Sequence, residues 1–214
     1  MAKTPPPQES APEKDASRHL RITQPSPWIL RFRHLIAPGA AVLDLAAGGG
    51  RHGRLLREHG ADVTFIDRDT TALADLAGQP RARVIEADLE GGPAPFGPEG
   101  ALTGLRFDAA VVVNYLYRPL LPGLIEALAP GGVLLYETFA RGNEAYSRPR
   151  NPDHLLKSGE LLAAVAGRMQ VIGYEHGIIE AADVPGVKQR LCAIKDLDGS
   201  ERDDGDPAAH PLAP

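Results

Sequence analysis

The chain is short of most residues that would give it a special chemistry by composition alone. A single cysteine, Cys192, among 214 residues excludes an internal disulfide and a cysteine-cluster metal site. The seven histidines show no HxxxH-type spacing, so no metal is expected. No apolar run approaches the roughly 20 residues that span a bilayer. The opening MAKTPPPQES lacks the apolar core of a signal peptide. An excess of positive charge is missing too. The net charge is −5, so bulk electrostatics give no reason to expect a nucleic-acid or membrane partner. The expectation is a cytoplasmic, reduced, soluble protein.

What is present is ordinary for a globular protein: 43% hydrophobic and 24% charged residues, in a length suited to one domain. Residues 1–17 are Pro-rich and charged, and 196–214 carry an acidic cluster at Asp203, Asp204 and Asp206. Neither buries enough apolar surface to offset its ordering entropy, so both read as disordered tails. A single domain over 18–195 remains.

Within it, strand-like and helix-like stretches alternate. Strands are expected at Ala41–Ala46, Asp62–Ile66, Ala82–Ala87, Phe107–Val113 and Val133–Phe139, then at Gln170–Glu175 and Val187–Ile194. Helices are expected at Arg51–His59, over TALADLA after a cap at Asp69 or Thr70, at Arg118–Leu128 and at Ser158–Ala166. Trp28–Ile36 reads as an amphipathic helix before the first strand, with Trp28 and Phe32 on one face. Such alternation specifies an α/β fold, an open, doubly wound, mostly parallel sheet. Ligands of these sheets bind beyond the carboxyl ends of the strands.

The first strand runs into Asp44-Leu45-Ala46-Ala47-Gly48-Gly49-Gly50-Arg51-His52-Gly53. Glycines between a strand and a helix let a ligand approach the backbone, and the helix turns its N–H groups toward it. Gly48, Gly50 and Gly53 fit the GxGxxG spacing of dinucleotide sites. Asp67 at the second strand tip suits a ribose of either a nicotinamide or an adenosyl cofactor. Both cofactors stay open on these residues alone.

VLDLAAGGGR, however, resembles the glycine motif of class I S-adenosylmethionine-dependent methyltransferases, with Ala46 where that family usually has glycine. Ala87-Asp88-Leu89 at the third strand tip and the Leu128–Gly132 turn, LAPGG, resemble the same family in the same order. The stretch WILRF…LIAPGAAVLDLAAGGGRHGRLL is similar to the small bacterial tellurite-resistance and thiol-methyltransferase-like group. The resemblance implies a seven-stranded Rossmann-like sheet ending in an antiparallel hairpin, with S-adenosyl-L-methionine as cofactor. It implies that Asp67 and Arg68 meet the ribose end and that Asp88 and Leu89 hold the adenine. Asp44, Ala46, Gly48, Gly50 and Arg51 then face the methionine end, with Asn114 beside it. The alternatives are a nicotinamide-dependent oxidoreductase and a cofactor-binding protein without catalysis.

The acceptor is expected after the fourth and fifth strands. Tyr115 and Tyr117 are candidate walls. Asn114 is not followed by proline, so the amino-methylating signature of nucleic-acid enzymes is missing. Arg141, Arg148 and Arg150 crowd ten positions of an acidic chain, an arrangement that suits a small anionic acceptor, such as a soft thiol or oxyanion nucleophile, or a gate over the cofactor. His52 reads as a surface residue, and no general base is evident.

Overall fold

A computed structural model describes residues 22–180, 185–197 and 207–211. The tail at 1–17, and all of 196–214 except 196–197 and 207–211, lie outside the described residues. His210 Nε2 lies 2.6 Å from Asp196 Oδ2.

Seven strands form one sheet in the order β3-β2-β1-β4-β5-β7-β6. They are β1 (Ala41–Leu45), β2 (Asp62–Asp67), β3 (Ala82–Glu86), β4 (Phe107–Val113), β5 (Leu128–Phe139), β6 (Gln170–Ile179) and β7 (Gly186–Ile194). The first five pair in parallel, while β7 runs antiparallel to both β5 and β6. The α/β class and the closing hairpin are as expected. β6 is longer than its apolar pattern suggested because its second half pairs with β7 while staying largely exposed.

Both faces of the sheet are covered. Helices α1 (Pro27–Phe32) and α2 (Arg51–Glu58) lie on one face with Val42, Phe65 and Val111. Helices α3 (Leu121–Ala127) and α4 (Glu160–Val165) lie on the other with Leu43, Val112 and Leu134. Burial on both sides explains why β1 and β4 read as apolar runs rather than alternating ones. Each fully buried aliphatic side chain contributes about 1.5–3 kcal/mol. Trp28 seals the α1 side. Its ring meets Phe32 edge-on at 4.7 Å, and its Nε1 donates to Leu191 O at 3.1 Å.

Several helices are shorter or tighter than expected. TALADLA is a 3-10 segment, Thr71–Leu76. Asp69 Oδ1 accepts from Thr71 N at 3.0 Å, and Thr70 makes no side-chain cap. The Arg118–Leu128 helix begins as a 3-10 turn at Arg118–Leu120, with Pro119 and Pro122 in its opening residues. The Trp28–Ile36 helix ends in a 3-10 turn after Phe32. Among the described residues, no helix is long and apolar enough to cross a membrane.

Candidate functional site

The tips of β1 to β5 converge on a cavity of about 1220 Å³. Asp44, Ala46–Gly49, Arg51 and His52 line it from the β1 turn, and Asp67–Asp69 from β2. Asp88–Gly91 come from β3, Val113–Leu116 from β4, and Thr138 and Phe139 from β5. The segment after β5 adds Arg148, Pro149, Arg150, Asn151 and His154, and Ile22 completes the wall. Of the expected site residues, Gly50, Tyr117 and Arg141 do not line it. Gly50 caps α2 from behind, where a Cβ would come 2.7 Å from Leu73. Tyr117 packs on the core and Arg141 is exposed, because the chain turns away from the cavity at both points.

The glycine turn is held by two carboxylates. Asp44, fully buried, accepts from Gly53 N at 2.9 Å. Burial pushes its carboxyl up to about 7, against the pull of that backbone N–H. Asp67 Oδ2 accepts from Gly48 N at 2.8 Å and Oδ1 from Asp69 N at 3.1 Å. Asp67 thus ties the β1 turn to the β2 turn at the cavity wall. Gly48 and Gly50 take positive φ, and no atom lies within 4 Å of a Cβ placed on Gly48 or Gly49. The backbone there is open to a ligand. Ala46 also sits in the left-handed region, at φ 55°. A non-glycine residue there carries a cost of roughly 1–2 kcal/mol, and such strain gathers at ligand-binding turns. Ala46 is therefore not the neutral stand-in for glycine that its size suggests.

Asp88 accepts from Glu90 N at 2.9 Å, and the Glu90 and Gly91 N–H groups hold its carboxyl below the usual range. Tyr115 lines the same end. Its hydroxyl is buried without a hydrogen-bond partner of good geometry, and burial, with Glu90 beside it, pushes its phenol up.

Beneath the β4 and β5 tips lies a polar cluster that sequence reading missed. Glu137 and Lys188 are buried and meet at 2.6 Å, and Arg190 Nε donates to Glu137 at 3.0 Å. Ser26 Oγ donates to Glu137 at 2.6 Å, and Lys188 Nζ to Asn114 Oδ1 at 2.9 Å. Burial alone would raise the Glu137 carboxyl, but Lys188 and Arg190 outweigh it and hold it below the ordinary value. Burial lowers the Lys188 ammonium, against the attraction of Glu137. The one sequence signal is charge inside two otherwise apolar strands, Glu137 in VLLYETF and Lys188 and Arg190 in VKQRLCAI. Only the β5–β7 register, which sets Glu137 opposite Arg190, brings them together.

His52 belongs to this cluster and corrects the expectation of a surface residue. It is 5% exposed, and its Nε2 accepts from Ser26 N at 3.2 Å. Burial, with Arg51 adding to it, lowers the imidazole to about 3. The unfolded chain therefore binds a proton below about pH 6.5 that the folded chain refuses until pH about 3. Stability from neutral His52 is complete above that upper value and drains away as pH falls. Asp44 acts with opposite sign, since its cost fades as pH drops below about 7. His52→Gln keeps an acceptor for Ser26 N and isolates the first effect. Between pH 7 and 4.5 the wild type is expected to lose several degrees more in Tm than the variant. Equal losses in thermal unfolding scans would refute the assignment.

The segment after β5 is stitched in place. Arg118 grips Glu160 through Nε at 2.5 Å and Nη2 at 3.0 Å, and also donates to the carbonyls of Asp153 and Leu155. Asn143, fully buried, donates to the carbonyls of Ser147 and Pro149. Gln189 joins Lys157 O to Leu161 N. These anchors bring Arg148 and Arg150 to the cavity. Arg51 also lines the cavity, and its Nη1 donates to Gln24 O at 2.8 Å. Among the described residues, no group of three or more His, Cys, Asp or Glu is placed to hold a metal.

No family model matches the chain. Among curated proteins it is 40% identical over 82 residues to the ribosomal RNA small subunit methyltransferase H of Sinorhizobium fredii (strain NBRC 101917 / NGR234), covering 35% of this chain and 23% of that protein. Among solved structures it is similar to TehB from Haemophilus influenzae, with TM-score 0.61 and 19% identity. That match covers 78% of this chain and 61% of TehB, so the chain spans less than two thirds of either relative. It is also similar to N-methyltransferase NodS from Bradyrhizobium japonicum WM9 in complex with S-adenosyl-L-homocysteine, with TM-score 0.58, 16% identity, and 84% and 97% of the two chains covered. The 1,6-didemethyltoxoflavin-N1-methyltransferase of Burkholderia thailandensis gives TM-score 0.56 and 19% identity, over 86% of this chain and 80% of that one. The fold is that of the S-adenosylmethionine-dependent methyltransferases.

Proposed function

We propose that the protein is an S-adenosyl-L-methionine-dependent methyltransferase whose acceptor is a small anionic molecule. One observation carries the reading: a glycine turn and two acidic strand tips, Asp67 and Asp88, border a single cavity in the order a nucleoside with an amino-acid tail needs. Asp67 receives the ribose hydroxyls beside Arg68, and Asp88 and Leu89 take the adenine. The open backbone at Gly48 and Gly49 receives the amino-acid end. A dinucleotide site needs no acid at the third tip. When bound, the sulfonium supplies an activated methyl group that is displaced in line by the acceptor's lone pair.

The chain's own task is then alignment and exclusion of water. Good alignment alone is worth on the order of 7–11 kcal/mol in effective-molarity terms. Arg148 and Arg150 stand on the acceptor side, where guanidinium forks suit a carboxylate or oxyanion. A soft anionic nucleophile needs no protein base.

Calorimetry tests the cofactor. S-adenosylhomocysteine is expected to bind and NADH is not, and the reverse would replace the reading with an oxidoreductase. Turnover with thiols, oxyanions and carboxylates tests the acceptor, and methylation of ribosomal RNA alone would overturn it. Absence of all turnover despite cofactor binding would favour a non-catalytic binding protein. With an active acceptor in hand, Arg148→Met/Arg150→Met is expected to raise KM at least tenfold and leave S-adenosylhomocysteine affinity unchanged. Unchanged KM would remove the arginines from the acceptor site.

A further inference from the structure

Asn114 stands at the tip of β4, at the boundary between the glycine turn and the acceptor side. Its backbone is left-handed, with φ 59°, and its N–H donates to Glu137 O at 2.8 Å. The residue lines the cavity. An amide flip is ordinarily a choice, since oxygen and nitrogen look alike. Here Lys188 removes the choice. An ammonium has only protons to give, so the atom 2.9 Å from Nζ is the amide oxygen. Lys188 is itself buried and does not line the cavity. The oxygen is therefore drawn toward the buried side, and the NH2 is what Asn114 has to offer a ligand.

Lys188 is fixed in turn. Glu137 holds its Nζ at 2.6 Å, the ammonium lies 4.9 Å from the Phe139 ring centroid, and Arg190 and Ser26 hold the other oxygen of Glu137. Every polar contact in the chain Ser26–Glu137–Lys188–Asn114 has one allowed direction. The end of that chain is an oriented donor at a residue that lines the same cavity as Arg51 and the glycine turn.

We propose that Lys188 is a positioning residue that locks the Asn114 amide with its NH2 toward the cavity, and that this NH2 donates to the carboxylate of the cofactor's amino-acid end. The inference rests on the methyltransferase reading. It assigns discrimination between the whole cofactor and its truncated nucleoside to β4 and β7, far in sequence from the glycine turn.

The test compares two probes, S-adenosylhomocysteine and 5′-methylthioadenosine, which keeps the nucleoside and lacks the amino-acid tail. Asn114→Asp is the informative variant, because aspartate tolerates a left-handed backbone and still pairs with Lys188 while losing the donor. By calorimetry it is expected to weaken S-adenosylhomocysteine by roughly 10–100-fold, the range for a hydrogen bond to a charged group. Methylthioadenosine is expected to change less than threefold. Lys188→Met is expected to move the same ratio in the same direction. Should that variant fail to fold, Lys188→Met/Glu137→Gln, which removes both buried charges of the pair, gives the same readout. Equal weakening of both probes, or none, overturns the proposal and leaves the cofactor reading intact. Failure of the wild type to bind S-adenosylhomocysteine instead overturns the cofactor reading itself.

Discussion

Replacing Asp67 with alanine is expected to lower S-adenosylhomocysteine affinity by about a hundredfold, at the upper end of what charge-assisted hydrogen bonds contribute. Two effects add. On the proposed reading the carboxylate accepts both ribose hydroxyls, and in the structure it accepts from Gly48 N and Asp69 N. Its removal therefore strips a ligand contact and loosens the turn that must meet the rest of the cofactor. Asn in place of Asp keeps one acceptor and is expected to fall between. Because Asp67 is only partly buried, thermal stability should change far less than affinity. Calorimetric titration checks the order wild type, Asn, Ala. A loss below threefold for the alanine variant would mean that Asp67 serves the turn alone.

The second large effect is on folding. A Cβ on Gly53 would lie 2.3 Å from Phe65 Cε1 and 2.8 Å from Asp44 Oδ2. The Phe65 ring is fully buried under α2 and cannot yield without disturbing its neighbours. Alanine normally improves a helix by about 1 kcal/mol over glycine. Overpacking of this kind costs about 1–3 kcal/mol, and contacts this short belong at the top of that range or beyond. The added methyl also pushes Asp44 from the Gly53 N–H that satisfies it, leaving a buried carboxyl exposed to its full desolvation cost. Gly53→Ala is expected to lower Tm by roughly 5–10 °C, at about 2–4 °C per kcal/mol for a domain of this size. A thermal scan showing an unchanged or higher Tm would contradict the packing argument.

Position 53 also shows what a sequence does and does not disclose. The GxGxxG spacing singles out Gly53 without showing what it meets: Gly53 faces Phe65 and Asp44, and its job is close packing of α2 on the sheet. The acids at β2 and β3 were legible because strand tips in a parallel sheet converge by topology, whatever the side chains. The Arg148 and Arg150 placement was legible in outline for the same reason. Tyr117 and Arg141 were not, since one residue more or less beyond a strand end decides whether a side chain faces in or out. The burial of His52 was hidden because it depends on Ser26, which sits a full helix and strand earlier in the chain. Lys188 and Glu137 were hidden because their meeting requires an antiparallel register that no local pattern encodes. The left-handed Ala46 had only an indirect signal, the glycine that the resembled motif usually carries there, because alanine itself does not favour that conformation.

The reversal of β7 carries one more consequence. In an all-parallel sheet every strand presents its finish to the ligand, so the functional positions fall just past each apolar run. β7 is turned around and presents its start instead. Its opening residues Lys188 and Gln189 pair with Phe139 and Thr138, which line the cavity. The terminal hairpin is thus more than a cover for the sheet margin: a segment some fifty residues beyond β5 in sequence supplies the strand that backs the cavity's β5 wall.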